Sequence, residues 1–262
     1  MKQKIYQVDA FAKSIFSGNP AAICPLEQWL SDELLQKIAM ENNLAETAFY
    51  VKQGEQYEIR WFTPTVEVDL CGHATLAAAY VLFNHENYTG TNISFYSPRS
   101  GALSVSKNGT LLTLNFPTDQ LKSIPITTEL LSCFGSTPKA AFMGKTDYLL
   151  VFDTEEEIVN CHPVLANITP LPARGVIITA KGNTVDFVSR FFAPQSGIDE
   201  DPVTGSAHTS LTPYWAKELG KTEMTAMQLS ERRGYLLCRY LNDRVEISGE
   251  GKLYLIGEIY LT

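Results

Sequence analysis

The feature that most constrains the fold of this chain is an internal duplication. The pentad Arg60-Trp61-Phe62-Thr63-Pro64 is echoed by Arg190-Phe191-Phe192-Ala193-Pro194. Each pentad precedes an acidic stretch and then a turn of small residues. Three pairs of residues share one offset of 133 positions: Gly72 with Gly205, Ser97 with Ser230, and Gly101 with Gly234. Matches at one offset and in one order indicate that the chain contains two related halves.

The hydrophobic pattern predicts sheet-rich halves with few helices. The predicted strands are Ile5–Phe11, Thr47–Lys52, Tyr57–Phe62, Ala102–Ser106, Thr110–Phe116, Tyr148–Phe152, Val176–Ala180, Val185–Phe192, Tyr235–Leu241 and Val245–Ser248. One helix is predicted to begin after an N-cap at Ser31. Two more are predicted at about Gly72–Asn84 and Gly205–Leu219. This order predicts an α/β (α+β) fold in which each half is a mostly antiparallel sheet with a prominent helix. We expect domains at 1–118 and 119–262, with Pro117–Pro125 as the connector.

Composition excludes several classes of function. The chain has 262 residues, 45% of them hydrophobic and 19% charged, and a formal net charge of −8. A nucleic-acid partner is not expected, because Lys and Arg form no cationic cluster. Neither a signal peptide nor a membrane span is expected, because the longest apolar stretch is only Leu76–Phe83. The five cysteines are odd in number and far apart, which favours reduced thiols and a cytoplasmic location.

The two turns that precede helices are candidate anion sites. Helix N-termini present unpaired N–H groups, and glycine allows the backbone to approach a ligand closely. Gly72 and Gly205 are therefore candidate substrate-binding residues, with hydroxyl donors from Thr75, Thr204 and Ser206. The alternative is that both glycines only permit tight turns between strand and helix.

Glu46 is the best candidate for a general acid/base. It lies at the start of an apolar strand, where partial burial raises the pKa of a carboxylate towards the range useful for proton transfer. Counting back from the repeated arginine, its counterpart in the second half is Val176, which cannot exchange a proton. Only one half would then supply this base.

Four further residues lie in or beside the two turns, and each has a structural alternative. His73 and Asp201 are candidates to contact substrate or relay a proton, although Asp201 is also an ordinary charge for a first helical turn. His208 is either functional or packed on its helix. Cys71 is either a small core residue or a thiol base, and Thr204 stands at its place in the repeat.

Several cofactor signatures are missing from the sequence. It contains no Gly-x-Gly-x-x-Gly fingerprint, no complete P-loop, no Gly-x-Ser-x-Gly elbow and no cluster with metal-ligand spacing. We therefore expect neither a cofactor nor a metal, and acid/base chemistry remains.

Ordered motifs across nearly the whole chain resemble those of the PhzF-like phenazine-biosynthesis family. They are Val8–Phe11, Ser17–Ala22, Leu44–Phe49, Arg60–Pro64, Cys71–Thr75 and Asp201–Ala207. The resemblance implies a diaminopimelate-epimerase-like fold of two similar domains, each with a central helix, and an active site in the cleft between them. It also implies that the last strand, 253–261, returns to the first domain.

The resemblance further implies an isomerase. The characterised phenazine enzyme moves a proton on trans-2,3-dihydro-3-hydroxyanthranilate with a glutamate that matches Glu46, and its substrate-contacting histidine and aspartate match His73 and Asp201. Homodimers are common in the family, so a homodimer is a candidate assembly. The expected function is a cofactor-independent proton shift on a small carboxylate-bearing metabolite. The alternatives are an amino-acid racemase or epimerase that uses Cys71, and a non-catalytic homologue that binds a ligand or a protein.

Overall fold

The computed structural model describes residues 2–261, which form seventeen strands and six α-helices. The elements of the first half are β1 (Lys2–Ala10), β2 (Asn19–Leu26), α1 (Asp32–Asn42), β3 (Glu46–Gln53), β4 (Gln56–Phe62), β5 (Glu67–Val68), α2 (Gly72–His85), β6 (Asn92–Ser97), β7 (Gly101–Asn108) and β8 (Leu111–Pro117). Those that follow are β9 (Lys122–Ile124), α3 (Thr128–Ser132), β10 (Ala140–Met143), β11 (Asp147–Val151), α4 (Glu155–Val159), α5 (Leu165–Ile168), β12 (Gly175–Lys181), β13 (Phe187–Phe192), α6 (His208–Leu219), β14 (Glu223–Gln228), β15 (Gly234–Tyr240), β16 (Arg244–Gly249) and β17 (Gly251–Tyr260). No helix within residues 2–261 is long and apolar enough to cross a bilayer.

The chain divides into two compact units. Unit 1 contains the described residues up to Asn115 and those from Ser248 onwards, and unit 2 is Phe116–Ile247. In unit 1 the last strand, β17, pairs antiparallel with β1. The segment expected to be a plain connector contains the short strand β9, which pairs with β10.

The two units repeat one order of strand pairing. In unit 1, β2 and β3 are parallel, β3 and β4 antiparallel, β4 and β6 parallel, and β6 and β7 antiparallel. In unit 2 the same alternation runs through β11, β12, β13, β14 and β15. A shared order of five strands is the structural form of the duplication seen in the sequence.

The repeated arginines occupy equivalent positions and bind equivalent partners. Arg60 on β4 donates through Nε and Nη2 to the two carboxylate oxygens of Glu67, at 2.7 and 2.9 Å. Arg190 on β13 makes the same two bonds to Glu200, also at 2.7 and 2.9 Å. The partners are seven residues apart in unit 1 and ten in unit 2. Three extra residues after the second pentad thus explain why the sequence offset rises there to 133.

Helix α2 is the central helix of unit 1. Eleven of its fourteen residues are buried, and its apolar side chains surround the whole helix rather than one face. Such a helix requires cover on all sides, and unit 1 supplies it with the strands β1, β2, β3, β7 and β17.

Helix α1 packs on the outside of the unit 1 sheet. Its N-cap is Ser31, as predicted, because the side chain accepts the backbone N–H of Leu34. Leu35, Ile38 and Ala39 form its buried stripe, which packs against Phe49 and Phe62 of the sheet. The start of β3, and with it Glu46, is held between this layer and α2.

Candidate functional site

The candidate site of unit 1 forms where two parallel strands and the central helix begin. Glu46 is the first residue of β3 and lies in register with Ala21, near the start of the parallel strand β2. Cys71 is the N-cap of α2, in extended backbone conformation, and His73 lies in the first helical turn. Glu46 from β3 therefore meets Cys71 and His73 from the start of α2.

Glu46, Cys71 and His73 form a buried cluster. Nε2 of His73 lies 3.2 Å from Oε2 of Glu46, and Nδ1 lies 3.4 Å from Sγ of Cys71. The relative exposures of the three residues are 9%, 6% and 4% in sequence order. A carboxylate, an imidazole and a thiol in contact, with little access to water, can pass a proton between them and a bound molecule.

Burial keeps the ring of His73 neutral. Because water does not solvate an imidazolium here, desolvation lowers the pKa of His73 from 6.5 to about 3. The side-chain amide of Asn19 lies 3.2 Å from Nδ1. With Nδ2 of Asn19 donating to Nδ1, the ring proton resides on Nε2, which lies 3.2 Å from Oε2 of the Glu46 carboxylate.

Asn19 is a site residue that the motif analysis quoted without a role. It is fully buried, and the turn before it is held by Asp9, whose Oδ2 accepts the backbone N–H of Phe16 at 2.9 Å. Gly18 has a φ of +70°, and a Cβ there would lie 2.2 Å from the carbonyl oxygen of Ala10. Only glycine fits this position, which brings the chain back to start β2 at Asn19.

Thr75 and Gly72 shape the start of α2. The hydroxyl of Thr75 donates to the Cys71 carbonyl at 2.6 Å, beside the first helical bond from its own N–H at 3.1 Å. This bond occupies the hydroxyl proton that we expected to meet a ligand. The first three N–H groups of a helix have no acceptor within the helix, and in α2 these belong to Gly72, His73 and Ala74.

A second polar cluster lies at the equivalent turn of unit 2. Thr204 donates its hydroxyl to Oδ2 of Asp201 at 2.5 Å. Gln228 accepts the Thr204 backbone N–H through Oε1 at 2.8 Å and donates through Nε2 to the Asp201 carbonyl at 2.7 Å. Asp201 is 8% exposed and Gln228 is fully buried. The network fixes Asp201 in place, and Gln228 is a member that the sequence analysis missed.

Ser206 lies beside a cation in unit 2. Arg174 donates through Nη2 to Oγ of Ser206 at 3.0 Å and through Nε to Oδ1 of Asp147 at 2.9 Å. Sequence reasoning missed Arg174 because it lies in an irregular segment before β12, with no motif around it. The guanidinium of Arg174 therefore lies beside the turn at Ser206, and the buried carboxylate of Asp147 balances its charge.

The prediction that a helix begins at Gly205 is wrong. Helix α6 begins at His208, and Gly205–Ala207 form turns with hydrogen bonds three residues apart. In unit 2 the Thr204 carbonyl lies 2.9 Å from Nδ1 of the His208 ring, and the backbone N–H of His208 bonds instead to the Gly205 carbonyl. In unit 1 the equivalent carbonyl, that of Cys71, accepts the first helical N–H, and Thr75 stands where unit 2 has His208.

His208 therefore packs inside unit 2 and bonds to the Thr204 carbonyl through Nδ1. It is fully buried, its ring lies against Phe187, and burial lowers its pKa from 6.5 to about 4. The structural alternative for His208 accounts for every contact that the structure shows for it.

The counterpart of Glu46 differs by one residue from the sequence count. Strand pairing places Arg60 opposite Phe49, and Arg190 opposite Ile178. Position 46 therefore corresponds to Gly175 and not to Val176, because the second hairpin is one residue longer. The expected counterpart, Val176, is therefore off by one position, and Gly175 likewise offers no proton-transfer group.

The unit 1 cluster also has the composition of a metal site. Within residues 2–261, one group of three or more His, Cys, Asp or Glu side chains has ligand atoms close enough to share an ion. It consists of Glu46, Cys71 and His73, whose ligand atoms all lie within 4.8 Å of one another. Sequence spacing had pointed to no such group, because Glu46 comes from a different strand.

Comparisons with known proteins agree with the motifs and the fold. The sequence model of the family PhzC-PhzF, described as phenazine biosynthesis-like protein, matches residues 8–256. An uncharacterized isomerase of Pseudomonas aeruginosa is 52% identical over 263 residues, covering 100% of both chains. The crystal structure of a PhzF-family phenazine biosynthesis protein from Enterococcus faecalis has a TM-score of 0.97 at 46% identity, covering 100% of both chains.

A more remote structure shares the fold alone. A hydroxyproline epimerase from Agrobacterium vitis has a TM-score of 0.62 at 9% identity, covering 98% of this chain and 92% of the epimerase. The expected fold class, with two related sheet-rich halves, is thereby confirmed. With the family model matching almost its whole length and relatives of this similarity named isomerases, the chain belongs to the phenazine biosynthesis-like PhzC-PhzF family and is an isomerase.

Proposed function

We propose that this isomerase moves a proton on a small carboxylate-bearing metabolite without a cofactor, with Glu46 as the general acid/base. The observation that carries the proposal is the buried pair in which Oε2 of Glu46 lies 3.2 Å from Nε2 of His73. General acid/base catalysis needs a positioned carboxylate whose protonation can change during turnover. Glu46 is so positioned at the start of β3.

In this mechanism His73 is the partner that orients the carboxylate. A neutral ring donates its Nε2 proton to Glu46 and does not compete for the substrate proton. Glu46 removes a proton from a carbon made acidic by a neighbouring carboxylate or enamine, and then returns it to another carbon of the same molecule. The C–H bond that breaks and the C–H bond that forms balance, and no electrons leave the substrate.

Charge that develops on the substrate needs stabilisation. The N–H groups of Gly72, His73 and Ala74 lie at the positive end of the α2 dipole and favour an anion there. We propose them as donors to the substrate carboxylate. In unit 2 we propose the N–H groups of Gly205 and Ser206 as donors to an anionic group of a ligand, because the N–H and the hydroxyl of Thr204 already donate to Gln228 and Asp201.

A racemase is the second candidate, because Sγ of Cys71 lies 3.4 Å from the ring of His73 and could act as a base. A racemase needs a base on each face of the carbon. Unit 2 has Thr204 where unit 1 has Cys71, and Gly175 where unit 1 has Glu46. The repeat therefore provides no second copy of either base, which favours the one-base isomerase.

Kinetics of matched variants test the proposal. The substrates are a panel of small cyclic and amino-acid carboxylates that includes trans-2,3-dihydro-3-hydroxyanthranilate, with conversion followed by NMR. We expect Glu46→Gln to lower kcat by about 10² to 10⁴, the usual contribution of a general acid/base. The exposed Glu41→Gln should retain the wild-type rate. Cys71→Ala should retain most of the activity.

The same panel separates the alternatives. Loss of activity in Cys71→Ala, together with inversion at Cα, would identify a racemase. Conversion of no compound by the wild-type enzyme would favour a homologue that binds without turnover. Asp201→Asn tests unit 2: a catalytic role predicts a fall in kcat, whereas a purely structural role predicts lower stability with unchanged kcat.

A further inference from the structure

The cluster of Glu46, Cys71 and His73 has a property that proton transfer does not use. Its three side chains offer one sulfur, one nitrogen and one oxygen ligand atom, all within 4.8 Å of one another. A donor set of thiolate, imidazole and carboxylate matches the preferences of Zn²⁺ rather than those of Mg²⁺ or Ca²⁺, which take oxygen ligands.

The spacing of the ligand atoms fits a tetrahedral ion. Bonds of about 2.0 Å to oxygen and nitrogen and about 2.3 Å to sulfur place tetrahedral ligands about 3.3 to 3.6 Å apart. Nε2 of His73 lies 3.2 Å from Oε2 of Glu46 and 4.0 Å from Sγ of Cys71. The ligand atoms of Glu46 and Cys71 lie within 4.8 Å of each other, so side-chain shifts of about 1 Å or less would bring the three atoms around one ion.

The surroundings of the cluster suit this coordination. A histidine that binds metal through one nitrogen donates its other N–H to an oxygen, which fixes the ring. Asn19 lies 3.2 Å from Nδ1, and rotation of its side-chain amide would present the oxygen as an acceptor. The charges of one carboxylate and one thiolate offset those of a divalent cation, although the positive end of α2 opposes it.

We propose that Glu46, Cys71 and His73 bind one Zn²⁺ ion and that this ion inhibits the enzyme. On binding, the Cys71 thiol releases its proton to solvent, and the proton on Nε2 of His73 moves to Nδ1. No oxidation or reduction occurs. Inhibition rests on the proposed function, because Glu46 and His73 cannot exchange a proton with substrate while they hold the ion.

The repeat predicts the stoichiometry. At the equivalent positions unit 2 carries Gly175, Thr204 and Ser206, a set without thiolate, imidazole or carboxylate. One ion per chain is therefore expected, rather than one per unit.

Titration of the reduced full-length protein with Co²⁺ tests the site without any substrate. We expect saturation at one ion per chain, visible bands of tetrahedral intensity, a near-ultraviolet thiolate-to-cobalt band, and displacement of Co²⁺ by Zn²⁺. Cys71→Ser should abolish the thiolate band, and His73→Asn should weaken Co²⁺ binding at least tenfold, the usual cost of losing a ligand or its support. Cys24→Ala, a change at another buried cysteine of unit 1, should leave the spectrum unchanged.

Two results would overturn the proposal. One is a wild-type protein that gives no tetrahedral cobalt spectrum, and the other is a Cys71→Ser variant, folded by circular dichroism, that gives the same spectrum as wild type. Different results would refute the metal site and the proposed function. Cobalt binding with a fully active Glu46→Gln variant refutes the role of Glu46 as base and leaves the site, whereas no cobalt binding with an inactive Glu46→Gln refutes the site and leaves the base.

Discussion

Acid should destabilise this protein through His208, by an amount that follows from its burial. Burial lowers the pKa of His208 to about 4 in the folded chain, from an ordinary value of 6.5. Because the folded pKa is the lower one, the unfolded chain binds the extra proton first as the pH falls. Stability from this group is therefore complete above pH 6.5, and it is lost as the pH falls from 6.5 towards 4.

The magnitude follows from linkage. One unit of pKa difference corresponds to about 1.4 kcal/mol. pH 5 lies about 1.5 units below the pKa of the unfolded histidine, which is then mostly protonated, while the folded histidine is still mostly neutral. The free energy of unfolding therefore falls by about 2 kcal/mol. It approaches roughly 3.4 kcal/mol below pH 4.

Urea unfolding of wild type and His208→Asn at pH 7.5 and pH 5 measures this loss. Asparagine can keep the donor to the Thr204 carbonyl but does not titrate. The free energy of unfolding of wild type should therefore fall by about 2 kcal/mol more than that of the variant. His208→Thr, which copies Thr75 of unit 1, is a second non-titrating variant. Exposed His162→Asn controls for the loss of a histidine in itself.

Each protein is compared with itself at the two pH values, which removes the fixed cost of the smaller side chain. Comparing wild type with the variants then removes the contribution of the carboxylates, which titrate in both. Equal losses in wild type and in both variants at position 208 would refute the reasoning. They would mean that His208 takes up its proton as easily in the folded protein as in the unfolded chain.

Two further predictions concern backbone and ion pairs. Gly18→Ala should cost about 3 kcal/mol, since it combines a positive φ with a Cβ clash at the Ala10 carbonyl, whereas Gly54→Ala, with a φ of +63° and open space, should cost about 1 kcal/mol. Equal costs in urea unfolding would contradict the clash. Arg190→Met should cost roughly 3 kcal/mol at neutral pH, because it leaves the partly buried Glu200 without its partner. Arg60→Met should cost less, about 2 kcal/mol, because Nη2 of Arg99 also lies 3.0 Å from Glu67 and remains as a partner. Losses below about 1 kcal/mol in both would show that the two pairs are weak, like surface pairs.

Much of the fold could be predicted because the same motifs occur in both halves of the sequence. The repeated arginine pentads predicted equivalent strands, and they became β4 and β13 with matching ion pairs. Strand β2 could not be predicted in the same way. It carries Pro20 and Pro25, and proline within a run speaks against a strand. Pairing with β1 and β3 overrides that local preference.

The start of α6 shows the limit of reading a repeat. The turns at Gly72 and Gly205 look equivalent in sequence, but a single exchange of Thr75 for His208 changes which group bonds to the preceding carbonyl. The backbone N–H of His208 bonds to the Gly205 carbonyl, and the second helix begins three residues later. The sequence motif alone does not indicate this difference.

The candidate site was predictable in its members but not in its contacts. Glu46 and His73 were predicted separately, from the start of a strand and from the first turn of a helix, and the packing of α2 on β3 explains why they meet. Asn19 stood in a quoted motif, yet nothing in the sequence linked it to the ring of His73. Such links depend on long-range pairing, which periodicity does not report.

The central claim is that Glu46 transfers the proton, and deuterium incorporation tests it most directly. Wild type and Glu46→Gln are incubated in D₂O with the carboxylate panel, and NMR follows the entry of deuterium at carbon. The account predicts incorporation by wild type with at least one compound and its loss by about 10² or more in the variant. Incorporation at the wild-type rate in Glu46→Gln would contradict it.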